Sequence, residues 1–184
     1  FMQEGLAYRI TPFNTTKLNA RIDSEKMYDN LMNRYKFGKI DNPDIYLDET
    51  VLRMCETHRR MFVQLSDQLI KEGKLDKAKK ALDYSLEVIP STTVPHDYQS
   101  SMSKQMADQY ILLGDTIAAQ SILNDLANKS VEYLTWYLSL NDTQLINSYD
   151  NTLRHFYMLD DITNTMARIS SDEPSNKEQQ EQYA

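Results

Sequence analysis

Residues 59–90 read RRMFVQLSDQLIKEGKLDKAKKALDYSLEVIP. Phe62, Leu65, Leu69 and Ile70 share one face of a 3.6-residue rhythm that ends at Gly73, and Leu75, Ala78, Leu82, Leu86 and Ile89 resume it up to Pro90. Glycine just past the last periodic residue supplies the left-handed backbone on which helices end, and proline lacks the N–H that a further turn would need. Ser66, Ala78 and Ser85 put small side chains where two helices joined by so short a turn must approach. The stretch therefore predicts a helical hairpin.

The pattern recurs. Met106, Ala107, Tyr110, Gly114, Ala119, Leu123 and Leu126 occupy the same slots from Ser100 onward, without a closing proline. Gly73 and Gly114 stand 41 residues apart, against about 34 in a tetratricopeptide (TPR) repeat. The loop residues 91–97, STTVPHD, absorb the excess. A third pair around Trp136 and Leu153 lacks the glycine and reads as a degenerate capping pair. The expected fold is all-α: a TPR-like array of two recognisable repeats plus that pair, preceded by an irregular segment. A generic helical bundle with coincident glycines is the alternative.

Helices are expected over residues 23–35 (capped by Asp23 or Ser24), from Glu49 (capped by Asp48) to Gly73, and over 75–89, 98–113, 116–128, 131–140 and 143–169. Residues 6–10 alternate weakly and suggest a short extended piece ending at Pro12. The organisation that follows is an N-terminal extension (1–48) packing on the array, a TPR-like domain (49–170) and a polar tail (171–184) expected to be flexible. Phe1 suggests a piece of a longer protein.

Composition excludes several classes of partner. Hydrophobic residues make up 41% of the 184, enough for a core, whereas four glycines and five prolines are too few for the turns of a β-sandwich. The net charge of −7 comes with no basic patch, which argues against nucleic acid and against anionic lipid. No apolar run is long enough to span a bilayer, so membrane insertion by these residues is not expected.

No catalytic, cofactor-binding or metal-binding set is legible. Cys55 and His58 are three apart on a helix, but a zinc site needs at least one further ligand, so they read as a core cysteine beside a surface histidine. His96-Asp97 reads as helix entry with Asp97 as cap, with no nucleophile expected beside it. Asp160 and Asp161 are neighbours on a helix and point about 100° apart, so they cannot form a paired-carboxylate site. The tyrosines outside the periodic region, Tyr8, Tyr28, Tyr35 and Tyr46, leave a glycan-binding module open as an alternative.

Several pieces carry a more specific resemblance: residues 4–10 (EGLAYRI), 27–33 (MYDNLMN) leading to Phe37-Gly38, 46–49 (YLDE), 53–55 (RMC), 94–98 (VPHDY) and 137–140 (YLSL). In order and spacing this chain resembles the soluble C-terminal region of a Bacteroidetes family of multi-pass membrane proteins. That family is described as protein O-mannosyltransferase-like, with GT-C glycosyltransferase architecture. The resemblance implies a non-catalytic accessory or scaffold domain on the periplasmic face of the inner membrane. It would present acceptor polypeptide or mediate contacts with proteins, peptides or the parent's own membrane domain, and the catalytic and lipid-phosphate sugar sites would lie in the membrane part. A free-standing TPR adaptor is the alternative. Bacteroidetes O-glycosylation targets resemble Asp followed by Ser or Thr and then a small or aliphatic residue, a pattern met by Asp115-Thr116-Ile117, although ordinary capping of the next helix by Asp115 or Thr116 is the favoured reading. In the TPR register a partner groove would be lined by Arg60, Val63, Asp67 and Lys71 from the first unit and by Lys104, Asp108 and Ile111 from the second. That groove is alternatively filled by residues 1–48.

Overall fold

The structure, a computed structural model, describes residues 1–10, 12, 21–96 and 100–171. They fall into two compact units, one spanning Phe1–Pro95 and the other beginning at His96. Apart from one small two-stranded ribbon, all regular structure among the described residues is helical.

In the first unit, β1 (Met2–Gln3) pairs antiparallel with β2 (Tyr8–Arg9). Helix α1 (Ser24–Asp29) is capped by Asp23, whose carboxylate accepts from the Lys26 N–H, and runs on as one π-helical turn, Asn30–Arg34. Helix α2 (Glu49–Lys71) begins at Asp48, which accepts from the Val51 N–H at 2.8 Å. Helix α3 (Leu75–Val88) packs back along it. The turn between them is a Schellman motif: Gly73 at φ +72° donates to the Ile70 carbonyl and Lys74 to Leu69.

In the second unit, α4 (Ser100–Leu112) and α5 (Thr116–Leu138) form a hairpin with the same turn. Gly114 at φ +80° donates to Ile111 and Asp115 to Tyr110. Asp115 then caps α5 by accepting from the Ala118 N–H at 3.0 Å. A short α6 (Asp142–Asn147), capped by Asn141, leads into α7 (Tyr149–Ser170), which packs on α5.

Two helix boundaries and the extent of one strand differ from the sequence expectation. The expected break at residues 128–130 does not occur, because Asn128-Lys129-Ser130 contains no glycine or proline, and Ser130 is buried within a continuous α5. The single helix expected over 143–169 is interrupted instead at Ser148, whose N–H folds back on Gln144 and Leu145. The segment 6–10 contributes only Tyr8–Arg9 as strand. The cap expected at Asp97 and the tail beyond Ser171 lie outside the described residues.

The described residues among 1–48 supply a layer over the α2–α3 hairpin. Met27 and Leu31 are fully buried. Phe37 sits 5.9 Å from Phe62 of α2 and 6.2 Å from Tyr84 of α3, while those two rings are 6.0 Å apart, so three aromatic rings from three segments close one side of the core. Polar contacts fix the layer in register. Gln3 Nε2 donates to Gly5 O (3.1 Å) and to Gln64 Oε1 (3.3 Å), and Asn30 Nδ2 donates to Glu4 O (2.7 Å). Gly5, at φ +132°, cannot be replaced cheaply: a Cβ there would meet Tyr35 Oη at 2.5 Å.

Candidate binding surfaces

The residues expected to line one groove have separate fates. In the first unit Val63 is fully buried, so it belongs to the core and offers no side chain to a groove. The buried face of α2 is wider than the TPR register assumed: it also takes in Glu56 and Arg59. Arg60 and Asp67 are partly exposed and Lys71 is exposed, with Lys71 Nζ held by Asp67 Oδ2 at 2.6 Å. In the second unit Lys104 is buried as well. Its Nζ lies between Asp108 Oδ1 (2.8 Å) and Asp161 Oδ2 (3.1 Å), tying α4 to α7. Lys104 is therefore a packing residue, while Asp108 and Ile111 are partly exposed.

Two polar arrangements were not legible in the sequence. Arg59 and Glu56 are completely buried and paired, one turn apart on α2. The Arg59 guanidinium also donates to the carbonyls of Val94 (2.7 Å), Ile89 (3.1 Å) and Pro95 (3.4 Å). One cation thus satisfies the carbonyls that end α3 and the loop after it, groups that helix termini otherwise leave without partners. Burial pushes the Arg59 pKa down, although the Glu56 charge opposes this. The available signal was the Glu-x-x-Arg spacing on the apolar face of α2.

The second arrangement is His96 Nδ1 at 3.0 Å from Ser103 Oγ. Sequence reading gave His96 no hydroxyl partner, because the contact crosses from the entry loop into the first turns of α4. Both residues are buried, and the pair ties His96, before α4, to the first turns of that helix.

Cys55 is buried, and desolvation raises its pKa, so the thiol stays protonated and unreactive. His58 donates to the Met54 carbonyl at 2.8 Å and meets Phe37 and Tyr35 edge-on, so its ring serves the aromatic seal. Among the described residues no three His, Cys, Asp or Glu side chains converge on a metal-sized point.

The N-terminal tyrosines do not form a platform. Tyr8 and Tyr46 are exposed, Tyr28 lies under Lys77 Nζ at 5.5 Å, and Tyr35 accepts a hydrogen bond from the Leu6 N–H at 3.0 Å. Tyr35 does reach a shallow cleft of about 440 Å³, lined with it by Phe37, Tyr84, Asp41 and Glu87 among others.

A charged clamp holds α1 against the α2–α3 turn. Glu25 accepts from Lys74 and Lys77, each at 2.7 Å, and Ser24 Oγ donates to Glu72 Oε2 at 2.7 Å. The hydrogen bonds from Lys74 and then Lys77 lower the Glu25 pKa to about 2. Burial pushes Glu72 upward, but hydrogen bonds from Lys74, Gln68 and Ser24 together outweigh it and leave its pKa lowered.

A further run of exposed apolar side chains lies in the second unit. Between Val131 and Asp161, Tyr137 alone is buried, although this stretch carries Trp136, Ile146, Tyr149, Leu153, Phe156 and Tyr157. No helix among the described residues is long and apolar enough to cross a membrane. No protein-family model, curated protein or solved structure matches this chain.

Proposed function

We propose that the chain is a non-catalytic scaffold built from TPR-like hairpins, which holds polypeptide for a larger assembly. The observation that carries this reading is the duplicated turn: α2–α3 and α4–α5 reverse through the same Schellman geometry at glycines 41 residues apart. In each, small fully buried side chains let the helices approach: Ser66, Ala78 and Ser85 in the first, Ala107 and Ala119 in the second. Modular helical hairpins of this kind generally present surfaces rather than reaction centres.

The family resemblance supports a more specific role, as the periplasmic accessory domain of a membrane-bound protein O-mannosyltransferase-like enzyme. Asp115 is engaged as the α5 cap, which supports a structural reading of Asp115-Thr116-Ile117 over an acceptor role. The test is direct. The isolated chain, given a polyprenyl-phosphate sugar donor and an acceptor peptide, is expected to transfer nothing, and measurable transfer rejects the scaffold reading. Hydropathy of the full-length gene product addresses the enzyme link: a series of upstream membrane spans is expected, and a signal peptide directly before Phe1 favours a free-standing adaptor.

A glycan-binding reading rests on the cleft beside Tyr35, Phe37 and Tyr84, where rings adjoin the carboxylates of Asp41 and Glu87. Glycan-array binding that is lost on Tyr84→Ala would favour it.

A further inference from the structure

We infer that the apolar tip formed by the C-terminal half of α5, α6 and the N-terminal half of α7 is a docking surface for a cationic amphipathic helix of another protein. The inference rests on the scaffold reading above and adds the place and the partner chemistry.

The tip has apolar content without a core. Tyr149, Leu153 and Phe156 stand at i, i+4 and i+7 of α7 and make one stripe along the helix. That stripe is turned roughly 140° around the axis from the side on which His155 stacks against Tyr133 of α5 (4.5 Å) and Ile162 is buried. Helix α7 therefore has two apolar faces at this end, and only one is used by α5. Tyr149 and Phe156 are more than half exposed, as are Ile146 just before the stripe, Tyr157 beside it, and Trp136 on α5. Isolated exposed apolar residues are ordinary, but a continuous helical stripe bordered by further aromatics marks an interaction surface. Aromatic side chains are also the residues on which binding energy concentrates.

Charge selects the occupant. Residues 127–160 carry four carboxylates, Glu132, Asp142, Asp150 and Asp160, against two cations, and one of these, Lys129, is already paired with Glu132 at 2.7 Å, which leaves three carboxylates against Arg154. A second copy would bring the same excess of negative charge to the contact, within a chain of net charge −7. An anionic membrane surface is repelled for the same reason. A helix with an aliphatic face and flanking Lys or Arg satisfies both features: it fills the stripe at helix-packing distance, and its cations meet the acidic rim and the ring faces.

Trp136, the chain's one tryptophan, is exposed near the C-terminal end of α5, so its fluorescence reports on the α5 side of the tip. The purified full chain is titrated with a synthetic Leu/Lys amphipathic helix, its Leu/Glu counterpart and zwitterionic phosphatidylcholine vesicles, with calorimetry and sedimentation in parallel. The expected result is a saturable blue shift with the Leu/Lys peptide alone, weakened by salt. Tyr149→Ser and Phe156→Ser, both exposed positions that leave the circular dichroism unchanged, are each expected to weaken binding by about tenfold. Asp150→Asn is expected to reduce the salt dependence. An equal response to the Leu/Glu peptide, a response to vesicles alone, or self-association that buries Trp136 overturns the partner assignment. Calorimetric binding that neither moves Trp136 nor responds to the two serine variants overturns the tip assignment but leaves the scaffold reading standing. Binding of none of the ligands overturns the inference too, whereas the scaffold reading itself falls only to the sugar-transfer assay.

Discussion

Helices α2 and α5 are each 23 residues long, and each belongs to a hairpin that reverses through a Schellman turn, α2 before the turn and α5 after it, yet ten side chains of α2 are buried against six of α5. Helix α7, almost as long, buries two. Apolar content does not explain the difference, because the stretch from Val131 to Asp161 is rich in leucine and aromatic residues. What differs is a third layer. The α2–α3 hairpin is sealed by residues 1–48 through Met27, Leu31 and Phe37, pinned by Gln3, Ser24 and Glu25. Among the described residues the tip of α5–α7 has no such cover. A hairpin has two sides, and burying one does not bury the other. An amphipathic pattern therefore shows that a face seeks cover without showing what provides it.

Removing the cover is the most severe way to break this contrast. A chain beginning at Asp48 would expose Phe62 and Tyr84 and lose the Glu25 and Ser24 contacts. It is expected to aggregate or to melt far below the full chain, by light scattering and thermal denaturation. A truncated chain that stays monomeric and equally stable would show that residues 1–48 are dispensable to the hairpin.

The buried cation comes next. Arg59→Met leaves the Glu56 carboxylate buried without its partner and takes hydrogen bonds from three carbonyls. The expected loss is about 3–5 kcal/mol in urea titration. The double variant Arg59→Met/Glu56→Gln should recover part of it, because the buried charge is then gone. A single variant as stable as the parent would mean that the 89–95 loop does not depend on this anchor.

The helix–helix contact is a smaller lever. Ala78→Phe forces a ring into the fully buried α2–α3 interface and should cost about 1–3 kcal/mol. At the open tip Leu138, already exposed, should accept phenylalanine with a change within about 0.5 kcal/mol. Equal costs at the two sites would erase the distinction between covered and open hairpins.

Much of this was legible in the sequence, and what was not shares a cause. The two glycine turns and the caps at Asp23, Asp48 and Asp115 depend on residues within a few positions of each other, so local rules find them. The continuity of α5 through Asn128-Lys129-Ser130 was misread because polar residues resemble a loop, although none of them breaks a helix and Ser130 is held in the core. The break at Ser148 carries no glycine or proline to announce it. Arg59, Val63 and Lys104 were assigned to a start or a groove because register fixes only the face on which a residue lies. Their burial depends on partners 30 or more residues away, such as Val94 for Arg59 and Asp161 for Lys104. The open tip was not legible for the converse reason: the sequence suggested only a degenerate capping pair around Trp136 and Leu153, and no local rule tells an unfilled face from a filled one.

Acid should loosen the cover with the mildest effect. The ionised forms of Glu25 and Glu72 are the ones that the clamp favours. Their contribution is complete above the ordinary glutamate value of 4.5 and fades as pH falls toward about 2, where Glu25 takes up its proton. The stability of the parent should therefore drop more steeply between these limits than that of a Lys74→Ala/Lys77→Ala variant. Parallel pH profiles would remove the clamp from the account.

Residue-resolved native-state hydrogen exchange compares the two regions most directly, since amide protection falls where few buried apolar contacts hold a helix closed. The account predicts that the central amides of α2 and α3 exchange only on global unfolding. Those of residues 131–138 and 149–158 should exchange by local opening, orders of magnitude faster, and slow on addition of the Leu/Lys peptide. Protection at the α5–α7 tip equal to that of α2 in the free protein would contradict it.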